Sequence, residues 1–111
     1  MTKDAKPYIG GALDALEIVV KRLPATKAEF LGDEVLIDAT LMRLQEAGEH
    51  LTRVRDSFSD YYEANHTASW HKLIGLRNVI AHGYLQVDLD KVWETITNNV
   101  PDLIEGLKDL A

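Results

Sequence analysis

Apolar side chains recur at intervals of three and four residues through most of this chain. This spacing places them on one face of an α-helix and is not expected of β-strands. The first series, which would form one face of a helix, comprises Ile9, Leu13, Leu16, Val20 and Leu23. No segment of five or more residues alternates apolar and polar side chains, as a half-buried strand would. The pattern therefore predicts an all-α fold.

Capping and helix-breaking residues divide this pattern into separate helices. Pro24 should end the first helix, and Thr26 with Glu29 resembles a capping box. That box would open a short turn, which Gly32 closes. Asp33 can then cap a long second helix. The inner face of this second helix should carry Ile37, Leu41, Leu44, Gly48 and Leu51.

A third long helix is predicted after a polar segment. The stretch 57–69 reads as a loop, or as a helix end followed by a loop. The third helix should begin near Ser69 and Trp70 and end at Gly83, because glycine suits the left-handed turn that often follows a helix.

The last helix completes the predicted fold. Asp88 can cap it, and Pro101 should kink it or divide it in two. One face of this helix would carry Trp93, Ile96, Val100, Leu103, Leu107 and Leu110. Four main helices with short connections predict an antiparallel bundle of four to five helices, in a single domain spanning residues 1–111.

The composition restricts the possible chemistry. The chain has no cysteine, which excludes disulfides, thiolate metal ligands and a cysteine nucleophile. The spacing of His66, His71 and His82 does not match the paired helical ligands of a zinc site, so we expect neither a metal nor a cofactor. The sequence has no apolar run of about 18 residues. Its first residues lack the apolar core of a signal peptide. Together, these two features predict a cytoplasmic protein without a membrane partner.

The charge distribution bears on nucleic-acid binding. The net charge of −6 argues against a non-specific nucleic-acid coat, because phosphate binding requires a positive surface. Between residues 50 and 82, however, four basic side chains stand against three acidic ones, and all four histidines lie there. A local basic site in an acidic protein therefore remains possible.

The segment 77–84, with the sequence RNVIAHGY, contains a guanidinium, an imidazole and a phenol within eight residues, and it is the strongest candidate for a functional site. Arg77 can hold a phosphate through paired hydrogen bonds. His82 can move a proton near neutral pH. A metal-free site that cuts RNA needs both of these groups, and the phenol of Tyr84 lies two residues further on.

The third helix is apolar around most of its circumference. On a helical wheel Gly75, Asn78 and His82 fall within about 40° of His71, from the 3.6-residue period, and the four residues form one polar stripe. Apolar residues occupy most of the rest, so the helix should be buried in the bundle and also against a partner chain, as in a homodimer. The simpler interpretation is that the stripe is an ordinary solvated face.

Arg77 interrupts the apolar seam of this helix. Burying a charge there destabilises the fold unless the charge is paired with a carboxylate or binds a ligand. A structural role would be an ion pair with Glu46 or Glu49. A role at a site meets a geometric difficulty, because Arg77 and His82 lie about 140° apart on an ideal helix. Either the helix opens before His82, or the two residues meet across a dimer.

The motif Arg-x4-His-x-Tyr, formed by Arg77, His82 and Tyr84, resembles the signature of the HepT-like toxins of the HEPN superfamily. The resemblance extends to GLRNVIAHGY (75–84), to a preceding tryptophan like Trp70 and to VDLDKVW (87–93). RLQEAGEHL (43–51) is also similar to the family pattern, and the likeness covers roughly residues 8 to 110.

This resemblance implies a compact antiparallel helical bundle that dimerises through its motif helices. It also implies a metal-independent endoribonuclease in which Arg77 positions the phosphate, Asn78 assists, and His82 acts as acid or base while the 2′-hydroxyl attacks. The partner implied is an MNT-type nucleotidyltransferase antitoxin of a type VII toxin–antitoxin system. It would silence the site by transferring AMP onto Tyr84. The sequence departs from the family pattern at His50, where a small residue is common.

Two functions stay open on the sequence. The first is a ribonuclease toxin. The second is a non-catalytic helical module that dimerises and binds a nucleotidyltransferase, which the acidic net charge favours. The sequence does not indicate which RNA is cut.

Overall fold

Residues 4–111 are described by the computed structural model, with the side chain of Tyr84 excepted. Within that range the chain forms seven α-helices and one 3-10 turn. They are α1 (Lys6–Arg22), α2 (Lys27–Leu31), α3 (Glu34–Ser57), α4 (Ser59–Asn65), α5 (Ala68–His82), the turn Tyr84–Gln86, α6 (Leu89–Asn98) and α7 (Val100–Leu110). No β-strand occurs among the described residues, and the predicted all-α bundle is confirmed.

The predicted ends of the first three helices are confirmed. Helix α1 ends just before Pro24. The Thr26 hydroxyl oxygen accepts a hydrogen bond from the Glu29 backbone N–H at 3.2 Å, and its hydroxyl donates to the Glu29 carboxylate at 3.2 Å. The Asp33 carboxylate accepts from the Leu36 backbone N–H at 3.0 Å and so caps α3. These local contacts satisfy backbone donors that the first turn of a helix leaves free.

Helix α3 is the central element of the bundle, because it packs against both α1 and α5, while α7 packs against α1 and α5. The largest fully buried side chains come from all these helices. They include Leu16, Phe30, Leu44, Leu51, Trp70, Leu73 and Leu107. Burial of each such side chain contributes roughly 1.5–3 kcal/mol, so α5 is held firmly on the face of α3.

The prediction for residues 57–69 was wrong in one respect, because Ser59–Asn65 forms the short helix α4. The ring of Tyr62 stacks on that of His66 with centroids 4.1 Å apart, and it meets Trp70 edge-on at 5.7 Å. Tyr62 is buried by these contacts. Tertiary packing of an aromatic side chain therefore orders a segment whose polar composition is typical of a loop.

The end of α5 lies at the predicted place but has a different conformation. The Gly83 backbone N–H donates to the Val79 carbonyl at 3.0 Å and closes the helix. Gly83 has φ −156° and ψ 64°, so the expected left-handed turn is not formed. Instead the Gln86 N–H donates to the Gly83 carbonyl at 2.8 Å, which starts the 3-10 turn Tyr84–Gln86.

The last helix is divided in two, as Pro101 predicted. The Asp88 carboxylate accepts from the backbone N–H groups of Asp90 and Lys91, at 3.0 and 3.4 Å, and caps α6. The break falls at Asn99, and Pro101 stands in the first turn of α7, where its missing N–H costs nothing. None of the described helices has the length and apolar character required to cross a bilayer.

Candidate functional site

The close crossing of α3 and α5 fixes the base of Arg77. Gly48 is buried at this crossing, and a Cβ built there would overlap Arg77 Cβ and lie 2.8 Å from its Cγ. Only a glycine lets the two helices approach this closely. The aliphatic stem of Arg77 therefore rests directly on the backbone of α3, and its position is set by the packing of two long helices.

The guanidinium of Arg77 is held by two weak polar contacts. Its Nη2 lies 3.4 Å from Glu49 Oε1, and its Nη1 donates to Asn78 Oδ1 at 3.2 Å. Glu46 pairs instead with Arg43 at 3.1 Å, so of the two predicted partners Glu49 is confirmed. The Glu49 side chain is 51% exposed, and a long, partly solvated ion pair contributes at most about 1 kcal/mol.

Arg77 keeps donors that these contacts do not use. Its Nε is shielded from solvent and has no hydrogen-bond partner among the described residues. An arginine carries five N–H donors in a planar fork that matches a phosphate. The contacts with Glu49 and Asn78 use one N–H each of Nη2 and Nη1, so the second N–H of each nitrogen is left for an anion.

His82 and Asn78 lie on the exposed side of α5. His71, Gly75, Asn78 and His82, the predicted polar stripe, are all exposed. Helix α5 continues through His82 without opening, so Arg77 and His82 stay about 140° apart around its axis. The structure thus brings Arg77 and Asn78 together but does not bring His82 to them within one chain.

The bundle covers most of the apolar surface of α5. Trp70, Leu73, Ile74 and Ile80 are buried within the single chain. Val79, beside the polar stripe, is 50% exposed, and Leu85 just beyond the helix is 97% exposed. The apolar surface left for a partner chain is therefore smaller than the helical wheel predicted, and it is concentrated near the motif.

Tyr84 begins the 3-10 turn that follows α5. Its side chain lies outside the part of the structure that is described, so its predicted role as AMP acceptor stays a prediction. The next two residues, Leu85 and Gln86, are exposed. The backbone of this turn is therefore at the surface of the molecule.

A cleft of about 350 Å³ opens beside Arg77 on the surface of α3, lined by Glu49, Thr52, Arg53, Asp56 and Arg77. The sequence did not single out Thr52 or Arg53 as site residues. The sequence feature that pointed to this region was the small excess of basic over acidic side chains in residues 50–82. Within residues 4–111, no group of three histidine or carboxylate side chains could hold a metal ion.

His50 does not line this cleft and packs toward α1. A Cβ at Gly11 would lie 2.8 Å from His50 Nε2, so the imidazole covers the bare backbone of α1 at that position. Its ring centroid lies 6.1 Å from that of Tyr8. The histidine that departs from the family pattern thus fills space between α1 and α3, and Gly11 makes room for it.

The fold and the motif helix define the class of this protein: an all-α bundle that carries an Arg-x4-His-x-Tyr motif at the end of its fifth helix. The sequence profile of the family described as Ribonuclease HepT-like matches residues 12–110. The chain belongs to this family, and the resemblance of its sequence to the HepT-like proteins is confirmed.

Three relatives illustrate the range of the family. A protein of Caldanaerobacter subterraneus subsp. tengcongensis, named as a candidate RNase, is 28% identical over 109 residues, which cover 97% of this chain and 95% of that protein. A Methanocaldococcus jannaschii protein, named as a gamma-glutamylcyclotransferase and candidate RNase, is 28% identical over 96% of this chain. Only 47% of that longer protein is matched. A Thermococcus cleftensis protein, named as a candidate ribonuclease HepT, is 23% identical over 93% of this chain and 92% of its own length. No solved structure matches this chain significantly.

Proposed function

We propose that this protein is a metal-independent endoribonuclease toxin of a type VII toxin–antitoxin system, acting as a homodimer. The family and the names of its relatives support a ribonuclease. The observation that carries the proposal is the state of Arg77. Its stem is fixed on Gly48 and its head is oriented by Glu49 and Asn78, yet Nε and further donors have no partner among the described residues.

In the proposed reaction the Arg77 fork holds the scissile phosphate and stabilises the charge that develops on it. His82 takes the proton of the 2′-hydroxyl, whose oxygen attacks the adjacent phosphorus. The bond from phosphorus to the 5′-oxygen of the next nucleotide breaks, and this oxygen takes a proton from water, so that a 2′,3′-cyclic phosphate and a 5′-hydroxyl are formed. Asn78 accepts from Arg77 and keeps the guanidinium turned toward the phosphate. Because Arg77 and His82 diverge on one helix, the complete site takes them from two chains of a dimer.

This mechanism predicts the products of cleavage. The free protein should cut RNA in the presence of a chelator, leaving 2′,3′-cyclic phosphate and 5′-hydroxyl ends, because the nucleophile is the substrate's own 2′-hydroxyl. End-group analysis by mass spectrometry measures this directly. An all-deoxy oligonucleotide of the same sequence is the control, and equal cutting of that DNA would contradict the mechanism.

The second candidate function is a non-catalytic module that dimerises and binds a nucleotidyltransferase. The acidic net charge of −6 and the ion pair between Arg77 and Glu49 favour it, since both weaken attraction for a phosphate backbone. Co-purification with a nucleotidyltransferase, combined with an RNA-degradation assay on the free protein, separates the two. Binding without degradation would favour the module.

Control by an MNT-type nucleotidyltransferase antitoxin is the regulatory part of the proposal. Tyr84 follows His82 by two residues and opens a turn whose next residues, Leu85 and Gln86, are exposed, so a second enzyme could reach this segment. AMP on Tyr84 would carry a phosphate that competes with RNA for the donors of Arg77. Toxin, RNA and antitoxin would all meet in the cytoplasm.

Replacing Tyr84 with phenylalanine should prevent silencing while leaving the fold and RNA cleavage largely intact, because only the acceptor hydroxyl is removed. Intact-mass measurement after incubation with the nucleotidyltransferase, ATP and magnesium should find one AMP on the natural chain and none on Tyr84→Phe. The control is Tyr61→Phe on α4, which should still be modified. An adduct on Tyr84→Phe would place the acceptor elsewhere.

A further inference from the structure

The cleft beside Arg77 adjoins another cleft on the surface of α3. This second cleft, of about 260 Å³, is lined by Tyr8, Glu46, Glu49, His50 and Arg53. Glu49 and Arg53 line both clefts. The two clefts therefore adjoin each other on α3, between Arg77 on α5 and Tyr8 on α1, and together they are called the groove.

Arg53 stands at the middle of this groove and is available to an anion. It is exposed, and no carboxylate of the described residues lies within ion-pair distance of it. Its guanidinium carbon lies 5.6 Å from the centre of the Tyr8 ring, a cation–π contact that holds the side chain over the groove. Arg53 is thus oriented by an aromatic ring and keeps its hydrogen-bond donors free for a ligand.

The groove wall also contains polar atoms that the described residues leave unsatisfied. Both the Thr52 hydroxyl and Arg77 Nε are shielded from solvent and have no partner there. A buried donor without a partner costs about 1–3 kcal/mol. Both residues line the same cleft, so the acceptor oxygens of a ligand bound there would give these donors the partner they lack once the side chains turn toward it.

The carboxylates of the groove do not cancel this positive character. Glu49 contacts Arg77, Asp56 pairs with Arg55 at 2.9 Å, and Glu46 pairs with Arg43 at 3.1 Å. Because each of the three carboxylates has a basic partner, Arg53 is the one charged side chain of the described lining without an opposite charge beside it. The half-buried ring of Tyr8 offers an aromatic surface beside it, and stacking on such a ring binds a nucleotide base without sequence preference.

We propose that this groove is a subsite for the nucleotide next to the scissile phosphate, in which Arg53 and Thr52 bind the flanking phosphate and Tyr8 supports its base. The inference rests on the proposed ribonuclease function, because it takes the phosphate at Arg77 as the scissile one. Single-stranded RNA would then lie along α3 from α5 toward α1. The subsite adds affinity for a chain of several nucleotides and takes no part in proton transfer.

The test compares Arg53→Ala with Arg22→Ala in the full-length protein. Arg22 is an exposed arginine at the opposite end of α1 from Tyr8, so its removal changes net charge equally but leaves the groove intact. Binding is measured with a 2′-O-methyl oligonucleotide, which cannot be cut, and cleavage with the unmodified RNA of the same sequence. Arg53→Ala should weaken binding and raise KM about tenfold, and lower the salt dependence of log Kd by roughly 0.7, the value for one phosphate contact on a single strand.

Thr52→Val separates a binding role from a structural one. Valine has the shape of threonine without the hydroxyl, and this hydroxyl has no partner among residues 4–111. The variant should therefore be as stable as the natural protein or more stable, since a buried unsatisfied group is removed. It should nevertheless bind the oligonucleotide several-fold more weakly. Lower stability with unchanged binding would overturn the role of Thr52.

The outcomes distinguish this inference from the proposed function. Equal binding by Arg53→Ala and Arg22→Ala, with RNA still cut, would overturn the subsite and keep the ribonuclease. Arg53-dependent binding without any cleavage would keep the groove and overturn the reaction. No binding of the oligonucleotide by the natural protein would overturn both.

Discussion

Replacing His82 with alanine is expected to lower RNA cleavage by about 10²–10⁴-fold, the usual contribution of a positioned general acid or base. The residue is exposed at the end of α5, so its side chain is not part of the core. Single-turnover cleavage of one RNA is the measurement. His71→Ala is the matched control, because His71 is an exposed histidine on the same stripe of the same helix.

The same assay tests Arg77. Lysine keeps the charge of Arg77 but lacks the planar fork, so Arg77→Lys should lose most of the activity although the net charge is unchanged. Thermal unfolding of the His82→Ala and His71→Ala variants should agree within about 0.5 kcal/mol, as is usual for exposed positions. Comparable losses from His71→Ala and His82→Ala would remove the assignment of His82 as the proton-transfer group.

The helix ends could be predicted because each depends on neighbours in sequence. Thr26 caps with Glu29, and Asp33 caps with Leu36, so both contacts are visible in a window of a few residues. Helix α4 could not be found this way. Its order depends on Tyr62, which packs against Trp70 on another helix, and no local pattern reports that contact.

The features of the candidate site also differ in how far the sequence could predict them. The ion pair of Arg77 was predictable, because a charge in an apolar seam requires a partner on the facing helix. The contact of Arg77 with Gly48 and the groove at Arg53 depend on how α3 crosses α5, and helical spacing within one segment carries no information about that crossing. The helical wheel predicted that His82 lies on a different side of α5 from Arg77. Because α5 continues through His82, the proposed function requires a dimer to bring the two side chains together.

Mixing two inactive variants should restore cleavage if each site takes Arg77 from one chain and His82 from the other. Arg77→Ala and His82→Ala are each expected to be inactive alone. In a two-fold dimer, a mixed pair contains one site with both groups intact, so random reassociation should recover about a quarter of the natural activity. The experiment mixes differently tagged variants, verifies mixed dimers by native mass spectrometry and then measures cleavage. Mixed dimers without recovery would contradict the shared site.

A substitution at Gly75 tests whether the dimer that restores cleavage is formed through the exposed stripe of α5. A Cβ at Gly75 meets nothing within 4 Å among the described residues of the single chain, so Gly75→Ala should raise helix stability by roughly 1 kcal/mol. If the exposed stripe of α5 packs closely against the partner chain, the same methyl group should weaken the dimer and prevent the recovery. Gly106→Ala on α7, where an added Cβ also meets nothing within 4 Å, should stabilise its helix without affecting either. Full recovery in the Gly75→Ala background would move the dimer contact away from this stripe, because a helix face that accepts an added methyl group is not closely packed.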